Sequence, residues 1–275
     1  MLRGRLFLME SETDPYSLRA LLQWQIDCGA DEAILDAPVD RYALEAKPPP
    51  PVPAMPGAAE AVPESPVSAA GPDPVAEARL MADAAQDLPA LAAAIAAFPH
   101  CELQKGARSM VFADGQAEAR LMIVGEAPGR EEDRIGRPFV GQAGQLLDRM
   151  LAAIGMARDA ARPEDAVYIT NVLPWRPPGN RTPEPAEIAM MLPFLERHVA
   201  LAKPDILVLM GNTPCQAILG RTGITRIRGQ WTEALGIPVL PMFHPAYLLR
   251  QPLAKREAWA DLLALKSRLM TGAST

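Results

Sequence analysis

The stretch Arg120-Leu121-Met122-Ile123-Val124, running straight into Gly125-Glu126-Ala127-Pro128-Gly129, decides the fold. A short apolar run with β-branched residues, closed by a glycine turn, reads as a strand buried on both faces. The same form recurs at Val167–Asn171, Asp205–Met210 and Ile237–Met242. Helical periodicity fills the gaps, at Gln142–Ile154, Glu184–Ala202 and Thr213–Leu219, with a last helix at Ala254–Met270. Strands alternating with helices specify an α/β fold whose central sheet, here four-stranded, is parallel and covered on both faces. Ligands of such sheets gather outside the carboxyl ends of the strands. That rule marks the chain from Gly125, Asn171, Gly211 and Phe243 onward before any other consideration.

Outward from this core the composition changes. Residues 1–97 hold 6 Lys+Arg against 15 Asp+Glu, a net of −9, whereas residues 98–275 hold 21 against 18, a net of +3. The acidity therefore belongs to the N-terminal part, and the remainder is compatible with phosphate contact without demonstrating it. Residues 1–46 form an acidic helical segment, with Leu18, Leu21, Leu22 and Ile26 at helical spacing and an interruption at Gly29. Residues 47–74 are a Pro/Ala-rich linker, containing Pro48 to Pro51, of a kind that favours extended conformations over packing. Residues 75–275 form the catalytic domain, opened by an Ala-rich helix at Pro74–Ala97 whose weak apolar face calls for support from the domain behind it.

No stretch approaches the roughly 18 to 20 consecutive apolar residues that would span a bilayer. Arg3 and Arg5 precede a short apolar run, but Glu10 and Glu12 stand where a signal peptide would carry small residues, so a cytoplasmic, membrane-free location is expected. Three cysteines, Cys28, Cys101 and Cys215, are an odd and sparse set that argues for reduced thiols.

Three of the four strand ends carry chemistry. Gly125-Glu126-Ala127-Pro128-Gly129 continues through Arg130-Glu131-Glu132-Asp133 to Gly136-Arg137-Pro138-Phe139-Val140-Gly141. A glycine-rich turn alone reads as a tight connection, but Glu126 beside exposed amides could orient or deprotonate a water. Asn171 can offer a donor and an acceptor to the edge of a base, or simply cap a turn. Arg176 and Arg181, in the proline-rich stretch that follows, suit phosphate contacts. His244, before Pro245-Ala246-Tyr247-Leu248-Leu249-Arg250, is one of three histidines and is placed to stabilise charge. His100 lacks a second pair of ligands nearby in sequence, and His198 lies within a helix.

Taken together, GEAPG with EED and GRPFVGQAG, NVLPWRPPGNRTP and HPAYLLR resemble the uracil-DNA glycosylase superfamily, most closely its iron-sulfur-containing family 4, over about residues 97–268. The resemblance implies a three-layer α/β/α domain that binds uracil-containing DNA, flips the base out and hydrolyses its glycosidic bond without a nucleotide cofactor. It makes Phe139 the platform for the extruded uracil, Asn171 the reader of its polar edge and His244 the stabiliser of the leaving base. Glu126, with Gly125 and the backbone around Ala127, would place the attacking water. Elsewhere in the superfamily an aspartate stands where Ala127 does, so the resemblance leaves Glu126 either to orient the water or to deprotonate it. Tyr247 or Leu248 would fill the vacated space in the duplex, with Arg250, Arg176 or Arg181 gripping phosphates.

Family 4 proteins hold a [4Fe-4S] cluster on four cysteines. The corresponding positions here are Phe98, Cys101, Trp175 and Met191, so three thiolates are missing and no cofactor or metal is expected. Bulky apolar replacements suggest that these four side chains pack together in the volume a cluster has left. The chain is expected to be a monomer, with the acidic N-terminal segment either a docking element for a protein partner or a tail with only a solubilising role. A non-catalytic DNA-binding descendant and a glycosylase for another deaminated or mismatched base are the competing readings. A nucleotide-binding α/β protein is disfavoured by the lack of a Walker or GxGxxG loop.

Overall fold

The computed structural model describes residues 73–271. The expected N-terminal segment, its helical hairpin, almost all of the proline-rich tract and Cys28 lie outside the described residues.

Within that range the strands are β1 (Asp114–Gly115), β2 (Leu121–Gly125), β3 (Val167–Asn171), β4 (Ile206–Met210), β5 (Thr232–Ala234) and β6 (Ile237–Met242). They form one sheet in the order β1-β3-β2-β4-β6-β5. The four strands read from the sequence are the parallel centre, β3-β2-β4-β6, and β1 and β5 add antiparallel edges of two and three residues. Each of β2, β3 and β4 is buried along its whole length, which is why none of the three alternates polar with apolar residues. Arg120 and Asp205, the residues just before β2 and β4, stay outside the ladder and pair with each other at 2.5 Å.

The sheet is covered on both sides. One face buries Leu121, Ile123, Ile169, Val208 and Met242 against α5 (Gln142–Ala153) and α10 (Lys255–Thr271). The opposite face buries Met122, Val124, Leu207 and Leu209 against α6 (Pro185–Ala202), α7 (Asn212–Leu219) and α8 (Ile224–Ile227). The result is the expected three-layer α/β/α arrangement. Short helices α4 (Arg130–Ile135) and α9 (Pro245–Arg250) follow β2 and β6 at the carboxyl edge.

One expectation is corrected. The Ala-rich stretch is not a single helix but two, α1 (Pro74–Ala84) and α2 (Leu88–Ala97), ahead of a single turn, α3 (Leu103–Gly106). Ala85 is extended, and Asp87 starts a new helix by accepting from the Ala90 amide at 2.7 Å, with Pro89 in its first turn. Both helices do lean on the domain. Arg197 of α6 donates to the Ala85 carbonyl from two nitrogens (2.9 and 2.6 Å), and Ala78, Ala82, Leu91 and Ile95 join the buried cluster around Phe194.

Candidate active site

The register of the sheet places the chemistry. Gly125 at the end of β2 lies directly beside Asn171 at the end of β3. A Cβ on Gly125 would stand 2.4 Å from Asn171 Oδ1 and 2.6 Å from the Phe139 ring, so only glycine lets these two side chains close over the strand end. Around them opens a cleft of about 570 Å³ whose wall includes Glu126, Ala127, Phe139, Asn171, Gly211, His244, Tyr247 and Arg250. Loops after all four parallel strands contribute, and Glu126, Phe139, Asn171 and His244 meet in this one place.

Asn171 is 6% exposed, and its Nδ2 has no hydrogen-bond partner. A buried amide donor left unpaired costs about 1–3 kcal/mol, so a side chain retained in that condition points to an acceptor that arrives with a ligand. Phe139 presents its ring beside His244, centroids 5.3 Å apart and planes 28° from parallel. Its backbone sits in the left-handed region at φ 53°, which a bulky residue adopts only when its surroundings hold it there.

His244 caps α9, its Nδ1 accepting from the Ala246 amide at 3.1 Å. Burial, with the nearby Arg250 guanidinium, pushes its pKa down to about 4. At neutral pH the ring is therefore neutral, and because Nδ1 is an acceptor the proton resides on Nε2. The site holds an imidazole ready to donate, not an imidazolium. Glu126, half-buried, has one carboxylate oxygen, Oε2, fixed by the Thr213 hydroxyl at 2.5 Å. That contact sets the rotamer of the carboxylate.

Two residues of this machinery were not singled out in the sequence. Thr213 stands in the first turn of α7, where a threonine reads as ordinary helix-start chemistry. Glu132 is one of three consecutive acids, yet its carboxylate accepts from the amides of Gly129 (3.1 Å), Val140 (2.9 Å) and Gly141 (2.8 Å) and so ties the GEAPG turn to the loop bearing Phe139. Asp133 beside it is buried and accepts from the amides of Arg108 and Ser109 at 2.8 and 3.2 Å. Nothing in the sequence separates these two from Glu131, which pairs with Arg134 at the surface.

The expected DNA contacts sort themselves by exposure. Tyr247 lines the cleft half-buried, its ring 4.8 Å from that of Phe243, and Arg250 is exposed at the rim. Leu248 is corrected: it is 1% exposed and packs inward with Leu146, Phe243 and Ala258, because the helical turn of α9 directs it to the core and leaves Leu249 outside at 40%. Arg181 borders the cleft, but its guanidinium is held by both oxygens of Glu187 at 2.9 and 2.6 Å. Arg176 donates to Asn180 Oδ1 at 2.7 Å and stands outside the cleft lining.

Phe98, Cys101, Trp175 and Met191 all lie in one buried hydrophobic cluster, none more than 2% exposed. Phe98 also meets the edge of Phe194 at 5.3 Å. Burial raises the Cys101 pKa and keeps it a thiol. A [4Fe-4S] cluster takes about four thiolates, and this set supplies one sulfhydryl, so the residues present do not fit that group. Among the described residues no other group of His, Cys, Asp and Glu is arranged to hold a metal.

The family model of the uracil DNA glycosylase superfamily matches residues 112–263, which contain every wall of the cleft. The type-4 uracil-DNA glycosylase of Thermotoga maritima is 42% identical over 153 residues, covering 54% of this chain and 77% of that protein. The type-4 enzyme of Archaeoglobus fulgidus is 40% identical over 170 residues, with 58% and 82% covered. That of Sulfurisphaera tokodaii is 37% identical over 181 residues, with 62% and 80% covered.

Proposed function

Because the chain belongs to the uracil DNA glycosylase superfamily, we propose that it removes uracil from DNA by hydrolysing the N-glycosidic bond, leaving an abasic site. The observation that supports this most is the buried, unpartnered Nδ2 of Asn171 at the wall of a cleft floored by Phe139. A pyrimidine carbonyl is the acceptor such a donor lacks, and cytosine, with an amino group in that place, offers none.

Extrusion of the base costs a few kcal/mol of unstacking and unpairing, of which stacking on Phe139 returns about 1–3 kcal/mol. As the bond from the sugar carbon to the base nitrogen breaks, its electron pair moves onto uracil and the sugar becomes oxocarbenium-like. The Nε2–H of neutral His244 donates to the carbonyl oxygen of the base on which that charge collects. A donor already neutral and fixed needs no reorganisation as charge develops. Water, oriented by the oxygen of Glu126 that Thr213 leaves free, adds to the sugar carbon and releases its proton to the carboxylate or solvent. Tyr247 fills the space left in the duplex and Arg250 holds a phosphate.

We further propose a cytoplasmic monomer working without an iron-sulfur cluster, its acidic N-terminal segment either a docking element for a protein partner or a solubilising tail. Among the described residues no helix is long and apolar enough to cross a membrane. The decisive experiment is incubation with an oligonucleotide carrying one uracil, followed by alkaline cleavage. Strand scission that disappears in Asn171→Ala and His244→Ala supports the proposal; binding without scission, or equal turnover in all three proteins, defeats it. Iron analysis of anaerobically purified protein tests the cofactor assignment, and stoichiometric iron would overturn it.

A further inference from the structure

Arg158 lies in the loop after α5, outside the cleft and unused by the reaction just described. Its side chain is 11% exposed. A guanidinium has five N–H donors, and here every one is engaged. Nε and Nη2 donate to Asp148 Oδ1 (3.0 and 2.7 Å), and Nη1 donates to Asp114 Oδ2 (2.6 Å). The two that remain reach the backbone: Nη1 donates to the Pro138 carbonyl and Nη2 to the Phe139 carbonyl, each at 3.0 Å.

Those two carbonyls bracket the residue whose φ is 53°. Holding a phenylalanine in the left-handed region costs on the order of 1–3 kcal/mol, and the chain relaxes unless something over-determines the conformation. The amides immediately after it, of Val140 and Gly141, are held by Glu132 from the other side. A Cβ at Gly144 would stand 1.8 Å from the Phe139 carbonyl oxygen, so the first turn of α5 closes in on the same peptide. Asp114, in turn, is pushed up by burial but held below the usual carboxylate range by the hydrogen bonds from Arg137 and Arg158, so the anchor of the guanidinium stays charged.

We infer that Arg158 is a positioning residue for the base-stacking platform: by gripping the carbonyls of Pro138 and Phe139 it keeps the strained backbone that lays the Phe139 ring against the extruded pyrimidine. The inference rests on the reading of the cleft as a uracil site. Lysine cannot replace it, since a point-like ammonium with three donors cannot span two carbonyls and two carboxylates. The group acts through Phe139 and does not touch substrate. Its loss should therefore weaken recognition of the base and leave recognition of the DNA backbone alone.

The test measures inhibition by free uracil, affinity for abasic-site DNA, and unfolding temperature in wild type, Arg158→Lys and Asp148→Ala. In folded Arg158→Lys the uracil inhibition constant should rise about fivefold, as expected if about half of a stacking contact is forfeited, with abasic-site affinity within about twofold of wild type. Asp148 is 49% exposed and its removal frees the Nε and one Nη2 bond, so Asp148→Ala folds and shows a smaller rise in the same constant. An unchanged uracil constant in folded Arg158→Lys overturns the inference. Should that variant fail to fold, an unchanged constant in Asp148→Ala overturns it instead. Wild-type protein that neither excises nor binds uracil marks failure of the site reading itself, a result distinct from either.

Discussion

Replacing Asn171 by leucine should make the protein more stable and inactive at once. Leucine has the same forked outline as asparagine but no polar atoms, so the change removes a donor that is buried without a partner in the ligand-free protein. Leaving such a donor unmade costs about 1–3 kcal/mol in the folded state, while the slightly larger methyl groups cost under about 1.5 kcal/mol in a roughly volume-conserving exchange. The balance is a gain of about 1 kcal/mol, or about 2–4 °C in unfolding temperature for a domain of this size. Uracil excision should fall by about 10²–10³ or more, the usual consequence of losing a fixed donor that the substrate alone satisfies. Thermal melts with and without free uracil separate the two effects. Uracil at a hundredfold excess over its dissociation constant should add about 2.7 kcal/mol to wild type and nothing to the variant. A leucine variant that melts well below wild type would show the amide to be satisfied in the folded protein, and the argument from the unpaired donor would fail; so would retained excision.

Thr213→Val should lower kcat about tenfold with KM unchanged, because it frees the Glu126 rotamer without altering the base or phosphate contacts, whereas Thr213→Ser should keep most activity. If the hydroxyl acts through the carboxylate, adding Glu126→Gln to Thr213→Val costs little more; fully additive losses would refute that coupling. Trp175→Ala should cost about 3–5 kcal/mol in denaturant unfolding, as for any large side chain removed from a close-packed interior, and a loss under about 1 kcal/mol would mean the cluster around Phe98 is loosely filled. His198 is 3% exposed, bonded to the Tyr168 hydroxyl at 2.9 Å, and burial pushes its pKa down to about 4. The unfolded chain takes up that proton first, so stability is full above about pH 6.5, is lost as pH falls toward about 4, and levels off below, with a slope approaching about 1.4 kcal/mol per pH unit for this group. Urea melts of His198→Phe should show that share of the slope removed; an unchanged slope contradicts the assignment.

The sequence was most informative where burial is complete. β6 begins and ends where its apolar run does, whereas β3 is apolar from Val167 to Ile169 and closes on two buried polar residues, Thr170 and Asn171. β1 and β5 escaped notice for the opposite reason: Asp114-Gly115 and Thr232-Glu233-Ala234 have no apolar pattern, and only a neighbouring strand makes them β-structure. The split between α1 and α2 was signalled by Asp87 and Pro89, but in an Ala-rich stretch helix propensity speaks more loudly than a cap. Phe139, Asn171 and His244 were identifiable as unusual residue types at strand ends. Thr213, Glu132 and Arg158 were not, because they act on neighbours far away in the chain, and a hydroxyl, a carboxylate or a guanidinium looks the same in sequence whether it faces solvent or a backbone. Leu248 and Leu249 differ only in which side of one helical turn they occupy.

The apolar cluster around Phe98 connects to the cleft by covalent continuity. Asn171 is followed by Val172, whose amide donates to the Gly125 carbonyl at 2.9 Å, and by Leu173, whose amide donates to the Glu126 carbonyl at 3.1 Å. Leu173 and Trp175 are themselves members of the buried set that holds Cys101 and Met191, and the Val111 amide closes on the Pro174 carbonyl at 2.8 Å. The strand end that presents Asn171 is thus wedged in place from behind by side chains on α1, α2 and α6. What the chemistry asks of that region is an immovable backing for residues 171–175. Close-packed apolar side chains are as incompressible as any interior, so Phe98, Trp175 and Met191 meet that mechanical demand by packing alone. The reacting groups in the cleft need no electron from that region, since the bond that breaks takes its electron pair with the departing base.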